Sequence, residues 1–284
     1  MSDINTPIDA SEIEFPRGET LEAVLEDYLR RADRMVWSPY DLVEQDKVAG
    51  LISMNSFTSE QFSAVKTVLF VEDHLPGYLA EYLRHLTNPD VNDTQHALNR
   101  KVLRFAFRWV GEEDRHSHVL ERYLTVTGLI SQADLDAEMT RERRLDYVSP
   151  YEGMLDSFVY LALQEKATHM YYKAVAKEIQ EPVLKMCLNR MGADEASHSA
   201  FFYDLLIEGF QGNLDALTRR VTAVASQFKM PVQSNLTNYR RQVINLMRAA
   251  PSYKHPDVFG DMMSAIEKAS KKYSRESLEL ITPA

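Results

Sequence analysis

The sequence predicts an all-α protein in which four long helices pack as a bundle and shorter helices lie at its periphery. Three observations carry that expectation. From residue 20 to 280 the apolar residues recur at i, i+3 and i+4, and no alternating run of β-branched residues is bounded by turns. Only 10 Gly and 11 Pro punctuate the 284 residues, so long helices can run uninterrupted. Apolar residues at 45% and charged residues at 26% suit a packed core under a solvated surface, not a disordered or fibrous chain.

The first long helix is expected from Thr58, where Thr58 and Gln61 have capping-box spacing, through Leu69, Phe70, Leu79 and Leu83 to His85. Pro76 falls inside it and cannot bond the carbonyl of Glu72 four residues back, so a bend is expected at that glutamate. The second helix is expected over 93–127, with Gly128 ending it. Ser149 as cap, Pro150 at the first helical position and Glu152 announce the third, which continues to about Glu178. Pro182 opens the fourth, which runs past Phe201 and Leu206 to Gly209 or Gly212. Shorter helices are expected over 214–228, 236–249 and 257–273, with turns at Pro231 and Pro251. No Gly-, Ser- or Pro-rich linker divides the chain. Residues 1–284 are therefore expected to form one domain, with the core bundle over about 58–212 and C-terminal helices over about 213–275.

Charge and cysteine usage narrow the function classes. A net charge of −10 argues against nucleic acid as a principal partner, because phosphate binding needs an extended basic surface. Cys187, the one cysteine, excludes an intrachain disulfide and a Cys-rich metal site, and reads as a buried thiol. The N-terminal residues lack the basic start and apolar run of a secretory signal, and no uncharged apolar stretch is long enough to span a bilayer. A cytoplasmic location is expected.

Chemistry is carried by two Glu-x-x-His pairs, Glu113 with His116 on the second helix and Glu195 with His198 on the fourth. At i and i+3 the two side chains share a helix face and reach one metal ion. Spacing alone is weak, since chance supplies roughly one such pair in a chain of this composition; Asp93 with His96 has the same spacing and reads as a decoy. Each pair, however, follows a helix that carries an isolated glutamate in an apolar surround, Glu72 after Leu69-Phe70-Val71 and Glu165 after Leu161-Ala162-Leu163-Gln164. A carboxylate facing a helical core is costly unless it is paired, protonated or metal-bound.

The resulting order, Glu, Glu-x-x-His, Glu, Glu-x-x-His, is that of the di-iron or di-manganese carboxylate site of ferritin-like four-helix bundles. Four carboxylates and two imidazoles suit iron or manganese, and the lack of thiolates disfavours structural zinc. Taken singly, each of the six residues, like Glu112 beside them, reads equally as a surface charge or a satisfied core group. Taken together they point to a pair of iron or manganese ions.

Longer strings carry a family resemblance. Trp109-Val110-Gly111-Glu112-Glu113-Asp114-Arg115-His116 resembles the Glu-Glu-Asn-Arg-His signature of the soluble acyl-carrier-protein desaturases, and Asp194-Glu195-Ala196-Ser197-His198 resembles their Asp-Glu-x-Arg-His motif. Similar stretches are Glu72 with Leu75-Pro76, Gln164 to Thr168, and Phe228-Lys229-Met230-Pro231. The resemblance implies that Glu72, Glu113 and His116 hold one ion and Glu165, Glu195 and His198 the other, with Glu113 and Glu195 bridging. It also implies that Thr168 lies near the oxygen-binding side, and that Trp37 and Asp194 belong to an electron route. An ordinary helical threonine and a core aromatic are the plain alternatives for Thr168 and Trp37.

By the same resemblance the activity is O2-dependent desaturation of an acyl chain on acyl-carrier protein, with electrons from a ferredoxin, in a homodimer. Docking an acidic carrier needs a local basic surface, for which Arg30, Arg31 and Arg34, or Arg141, Arg143 and Arg144, are candidates. Ser197 departs from the usual arginine and Asp114 from the usual asparagine. Neither change removes a ligand, but both alter what surrounds the metals. Three other readings share features of the chain: a di-iron hydroxylase on a carrier-bound substrate, a ferritin-like iron-binding protein, and a helical interaction module without metal.

Overall fold

In the computed structural model the described residues are 19–44, 57–144, 151, 153–210, 212–230 and 236–281. Among them the chain is helical, with no strand. The elements are α1 (Glu19–Arg34), α2 (Pro39–Leu42), α3 (Ser59–Glu72), α4 (Leu75–Leu86), α5 (Asp93–Val126), α6 (Gln132–Glu142), α7 (Met154–Glu178), α8 (Pro182–Gly209), α9 (Leu214–Ser226), α10 (Tyr239–Ala249) and α11 (His255–Ile281). The ferritin-like bundle is built from α3, α5, α7 and α8, with α7 and α8 in the most extensive contact.

Local chemistry sets the helix ends. Thr58 and Gln61 form both bonds of the capping box, at 3.1 and 3.0 Å. Asn92 caps α5 by accepting from Gln95 N, and Gly128 follows that helix at φ 73°, where a side chain would be strained. Pro182 opens α8, whose cap is Glu181; its carboxylate accepts from Val183 N, Leu184 N and the Tyr123 hydroxyl. The start of the third long helix differs from expectation. Gly153 is the N-cap of α7, while Ser149, Pro150 and Glu152 lie outside the described residues, as does Pro231.

Pro76 does more than bend its helix. The expected helix is two, α3 and α4, broken at Asp73 and His74. The missing proline N–H leaves no ladder bond to Glu72, and Pro76 instead sits at the N-terminal turn of α4, where its lack of a donor costs nothing. Glu72 is thereby the last residue of α3. The C-terminal helices occur near the expected positions with shifted ends: α9 ends at Ser226, α10 begins at Tyr239 after the left-handed Asn238, and α11 begins at His255 and continues to Ile281.

Helices α1, α2 and α6 were not anticipated. The first has a narrow stripe of Leu21, Leu25, Tyr28 and Ala32, all buried, which packs on α5 and α8. In α6 the stripe is Leu135 and Met139, followed by a buried Glu142 that accepts from the backbone and hydroxyl of Thr237. Cys187 is fully buried, and burial pushes its thiol up to about 12, so it is inert at neutral pH.

The buried apolar residues fall into two clusters, and the site lies between them. One gathers Val102 to Trp109 of α5, Leu155 to Ala167 of α7 and Phe201 to Leu206 of α8, with the Phe105 and Phe201 rings stacked at 3.8 Å. The other gathers Val65 to Phe70 of α3, Val119 to Leu124 of α5, Tyr172 to Ile179 of α7 and Leu184 to Met191 of α8. On α5 and α8 the Glu-x-x-His pairs occupy the turns between the two clusters, so the polar layer is clamped by apolar packing at both ends.

Candidate metal centre

Six side chains from four helices converge in that layer: Glu72 from α3, Glu113 and His116 from α5, Glu165 from α7, and Glu195 and His198 from α8. All are buried, His116 and His198 completely. Glu72, Glu113, His116 and Glu195 each offer a ligand atom within 4.8 Å of the others, and so do Glu113, Glu165, Glu195 and His198. Glu113 and Glu195 belong to both groups, which is the arrangement of two adjoining cation positions that share two carboxylates. Asp93 and His96 lie exposed at the start of α5, away from this cluster.

The two imidazoles are oriented alike. Nδ1 of each points inward: His116 Nδ1 lies 3.4 to 3.8 Å from Glu195, Glu113 and Glu72, and His198 Nδ1 lies 2.9 Å from Glu113 and 3.3 Å from Glu165. Nε2 of each points outward to a second carboxylate, Asp194 at 3.3 Å for His116 and Glu112 at 2.9 Å for His198. A proton on Nε2 donated to that carboxylate leaves the Nδ1 lone pair for a cation. His116 Nδ1 is buried with no hydrogen-bond partner, and Glu113 Oε1, although close to His198 Nδ1, makes no aligned hydrogen bond. Such orphaned atoms are costly in a metal-free protein and are satisfied by a cation between them. The donor set of four carboxylates and two imidazoles fits a pair of divalent ions of the iron or manganese type, whose charge the carboxylates offset.

The buried carboxylates and imidazoles crowd charge, and their protonation shifts accordingly. Burial raises Glu72 to about 7, against the pull of His116. Burial, with the charges of Glu113 and Glu165, raises Glu195 well above the carboxylate range. Burial also opposes ionisation of Glu113, but the His116 and His198 imidazoliums outweigh it and hold Glu113 well below that range. Burial disfavours both imidazoliums too, and the surrounding carboxylates overcome it and raise both histidines. Shared protons can thus offset the crowded charge of these carboxylates, as bound cations would.

Residues around the six hold them in place. The Trp109 indole donates to Glu165 at 3.2 Å, and the Tyr172 hydroxyl donates to Glu72. Glu112 accepts from Tyr28 at 2.7 Å and from Arg108 at 2.8 Å, and Arg115 reaches both Glu112 and Asp194. Trp37 donates to Asp194 at 2.8 Å, stacks parallel to the His116 ring at 6.2 Å, and carries Arg115 over its face. Trp37 and Asp194 stand beside the cluster, and Glu112, which the sequence leaves open between surface and core, is buried. A residue four positions before His116 and four after Arg108 was the available signal. Tyr28 and Tyr172 carried none, because their partners lie 84 and 100 residues away.

A family model described as fatty acid desaturase matches residues 18–272. The chain belongs to the fatty acid desaturase family. Among its relatives, a protein assigned as acyl-carrier-protein desaturase DesA1 of Mycobacterium tuberculosis is 25% identical over 248 residues, which are 79% of this chain and 69% of that one. Acyl-carrier-protein desaturase 6, chloroplastic, of Oryza sativa subsp. japonica is 25% identical over 264 residues, 85% of this chain and 61% of that one. The X-ray structure of DesA2 from Mycobacterium tuberculosis, assigned as an acyl-ACP desaturase, superposes with a TM-score of 0.64 at 20% identity and covers 90% of this chain and 97% of that one, which establishes the shared fold.

In this desaturase-family chain the departures from the family motifs occupy different surroundings. Asp114 is exposed, whereas the Ser197 hydroxyl is buried without a partner; Arg108 and Arg115 are the cations that flank the outer carboxylates. Thr168 bonds back to the Gln164 carbonyl at 3.0 Å, as an ordinary helical threonine does, and also lines the cavity beside the cluster. That cavity, of about 320 Å³, is mostly apolar and is bounded on one side by Glu72, Glu113, Glu165 and Glu195. Of the basic clusters, Arg30, Arg31 and Arg143 are paired with Glu26, Asp27 and Asp73. No helix among the described residues is long and apolar enough to cross a membrane.

Replacing Tyr172 with phenylalanine is expected to weaken metal binding about 10- to 100-fold at the position served by Glu72, because an outer hydrogen bond that orients a ligand is lost while the ring stays. A stepwise titration with Mn2+ monitors it; equal weakening of both positions, or none, contradicts this role.

Proposed function

We propose that the chain is an acyl-carrier-protein desaturase that holds two iron ions and removes two hydrogens from adjacent carbons of a carrier-bound acyl chain. The observation that carries the reading is one of adjacency: the same four carboxylates that close the metal cluster form one wall of an apolar cavity. A cluster built only to store ions has no need of an apolar space against its ligands. In this reading Glu72, Glu113 and His116 serve one ion, Glu165, Glu195 and His198 the other, and Glu113 and Glu195 bridge.

The ion pair, when bound, supplies the oxygen chemistry that no side chain can. The chain's own residues do the rest. Val68, Val71, Leu75 and Leu246 line a path that holds methylenes and keeps water away from the reacting carbons. Thr168 lines that space, and Trp109 and Tyr172 keep Glu165 and Glu72 from turning into it. Trp37, Asp194 and His116 form a buried, bonded and stacked series that ends at the cluster, a path for reducing equivalents. Dioxygen takes two electrons from the donor and two from the substrate, and with four protons leaves as two waters. A ferredoxin as donor and a homodimer belong to the same reading and rest on the family resemblance; a cytoplasmic location rests on the cysteine usage and on the missing secretory pattern at the N-terminus.

Anaerobic iron loading followed by turnover on a panel of carrier-linked acyl chains tests the proposal. The expected product is lighter by two hydrogens. A product heavier by one oxygen makes the enzyme a hydroxylase, and uptake of iron far beyond two ions per chain without any product makes it a storage protein.

A further inference from the structure

A second apolar cavity lies beside the first. It has a volume of about 340 Å³, is bordered by Leu163, Ala225, Val258 and Phe259, and opens to the surface between α9 and the start of α11. The two cavities have two lining residues in common, Phe228 and His255. Their rings lie 5.3 Å apart at 39°, so together they stand as a wall between the cavity at the carboxylates and the outer groove.

The wall is held from several directions. Phe228 also packs on Tyr160 at 5.5 Å, and the Tyr160 hydroxyl donates to the Lys229 carbonyl at 3.0 Å. The Phe228 N–H donates to the Ala225 carbonyl at the end of α9. His255 begins α11, which is anchored by the buried Val258 and Met262. Phe228, half-buried and held by Tyr160, is the fixed part of this boundary, and the more exposed His255 ring packs on it; a fixed boundary between two apolar spaces discriminates by length.

We propose that Phe228 and His255 set the longest acyl chain the site admits, by separating the inner cavity from an outer groove that would otherwise continue it. This rests on the acyl-chain reading above. The occupant of the opened groove is the run of methylenes that the inner cavity cannot hold. Each methylene transferred from water into it strengthens binding about fourfold.

The test compares the wild-type chain with Phe228→Ala and His255→Ala, and with Phe228→Leu should the alanine variant fail to fold. Displacement of a fluorescent fatty acid from the metal-free protein by saturated fatty acids of graded length gives binding. Product masses from carrier-linked chains of the same lengths, with the iron-loaded enzyme, give turnover. The wild type is expected to show a length beyond which affinity and product both fall, and the variants to move that limit to longer chains, gaining about fourfold per methylene past it. A wild-type limit that stays in place in every variant overturns the wall as its cause, with the acyl reading intact. Absence of both binding and product for every chain in the wild type overturns the acyl reading, and this proposal with it.

Discussion

Glu113→Ala removes both metal ions, whereas Glu72→Ala removes one. The difference follows from membership: Glu113 offers an oxygen to each of the two ligand groups, and Glu72 to one only. Losing Glu113 leaves each cation three protein donors and one fewer negative charge to balance it, in a layer where water cannot make up the loss because every ligand is buried. Metal content measured after loading and gel filtration should fall from about two ions per chain to near zero in Glu113→Ala, and turnover should fall to background. In Glu72→Ala about one ion should remain. Circular dichroism separates loss of metal from loss of fold. Retention of one tightly held ion in a folded Glu113→Ala protein would contradict the bridging assignment.

The metal-free protein becomes less stable as the pH rises from about 4.5 to about 7, and metal reverses that slope. Glu72 is raised from the ordinary 4.5 to about 7 by burial. Between those values the folded chain holds a proton that the unfolded chain has released, so rising pH favours unfolding. Its contribution is complete below 4.5 and is lost as the pH passes through about 7, an effect on the order of 3 kcal/mol. Glu195, raised by burial and by its neighbours, acts in the same direction. Glu113 acts in the opposite sense: its stabilisation is present above the ordinary carboxylate range and fails only in acid, so it does not cancel the slope within this window. With iron or manganese bound, the ligands must be deprotonated, and binding tightens as the pH rises. Urea titrations across the window, with chelator and with excess Mn2+, read both slopes. A flat or rising stability in the chelated protein would count against the buried, proton-sharing cluster.

How much of this was legible beforehand depended on whether the signal was local. The capping box at Thr58, the proline at the start of α8 and the glycine after α5 are each short-range devices, and all three appear where the sequence put them. The break at Pro76 was legible in kind but not in extent, because whether a proline bends or divides a helix is decided by what the two halves pack on. Here both halves pack on α5, and α3 alone packs on α10 as well. The stripes of α1 and α6 were present in the sequence but short, and became recognisable only against the faces that bury them. Glu112 illustrates the harder case. Its spacing to Arg108 and His116 marks its helix face, but its burial is made by Tyr28 from α1 and His198 from α8.

By itself the sequence determined the helical class, the long helices α5, α7 and α8 in outline, and the order of six glutamates and histidines along the chain, since periodicity, caps and i, i+3 spacing are written in neighbouring residues. The tertiary structure alone decided that Nδ1 of each imidazole faces inward, that Asp194 and Glu112 stand behind the two rings, and that one cavity meets another at Phe228 and His255. These depend on distances between segments tens of residues apart, which only the packing of two apolar clusters on either side of the polar layer brings within bonding reach.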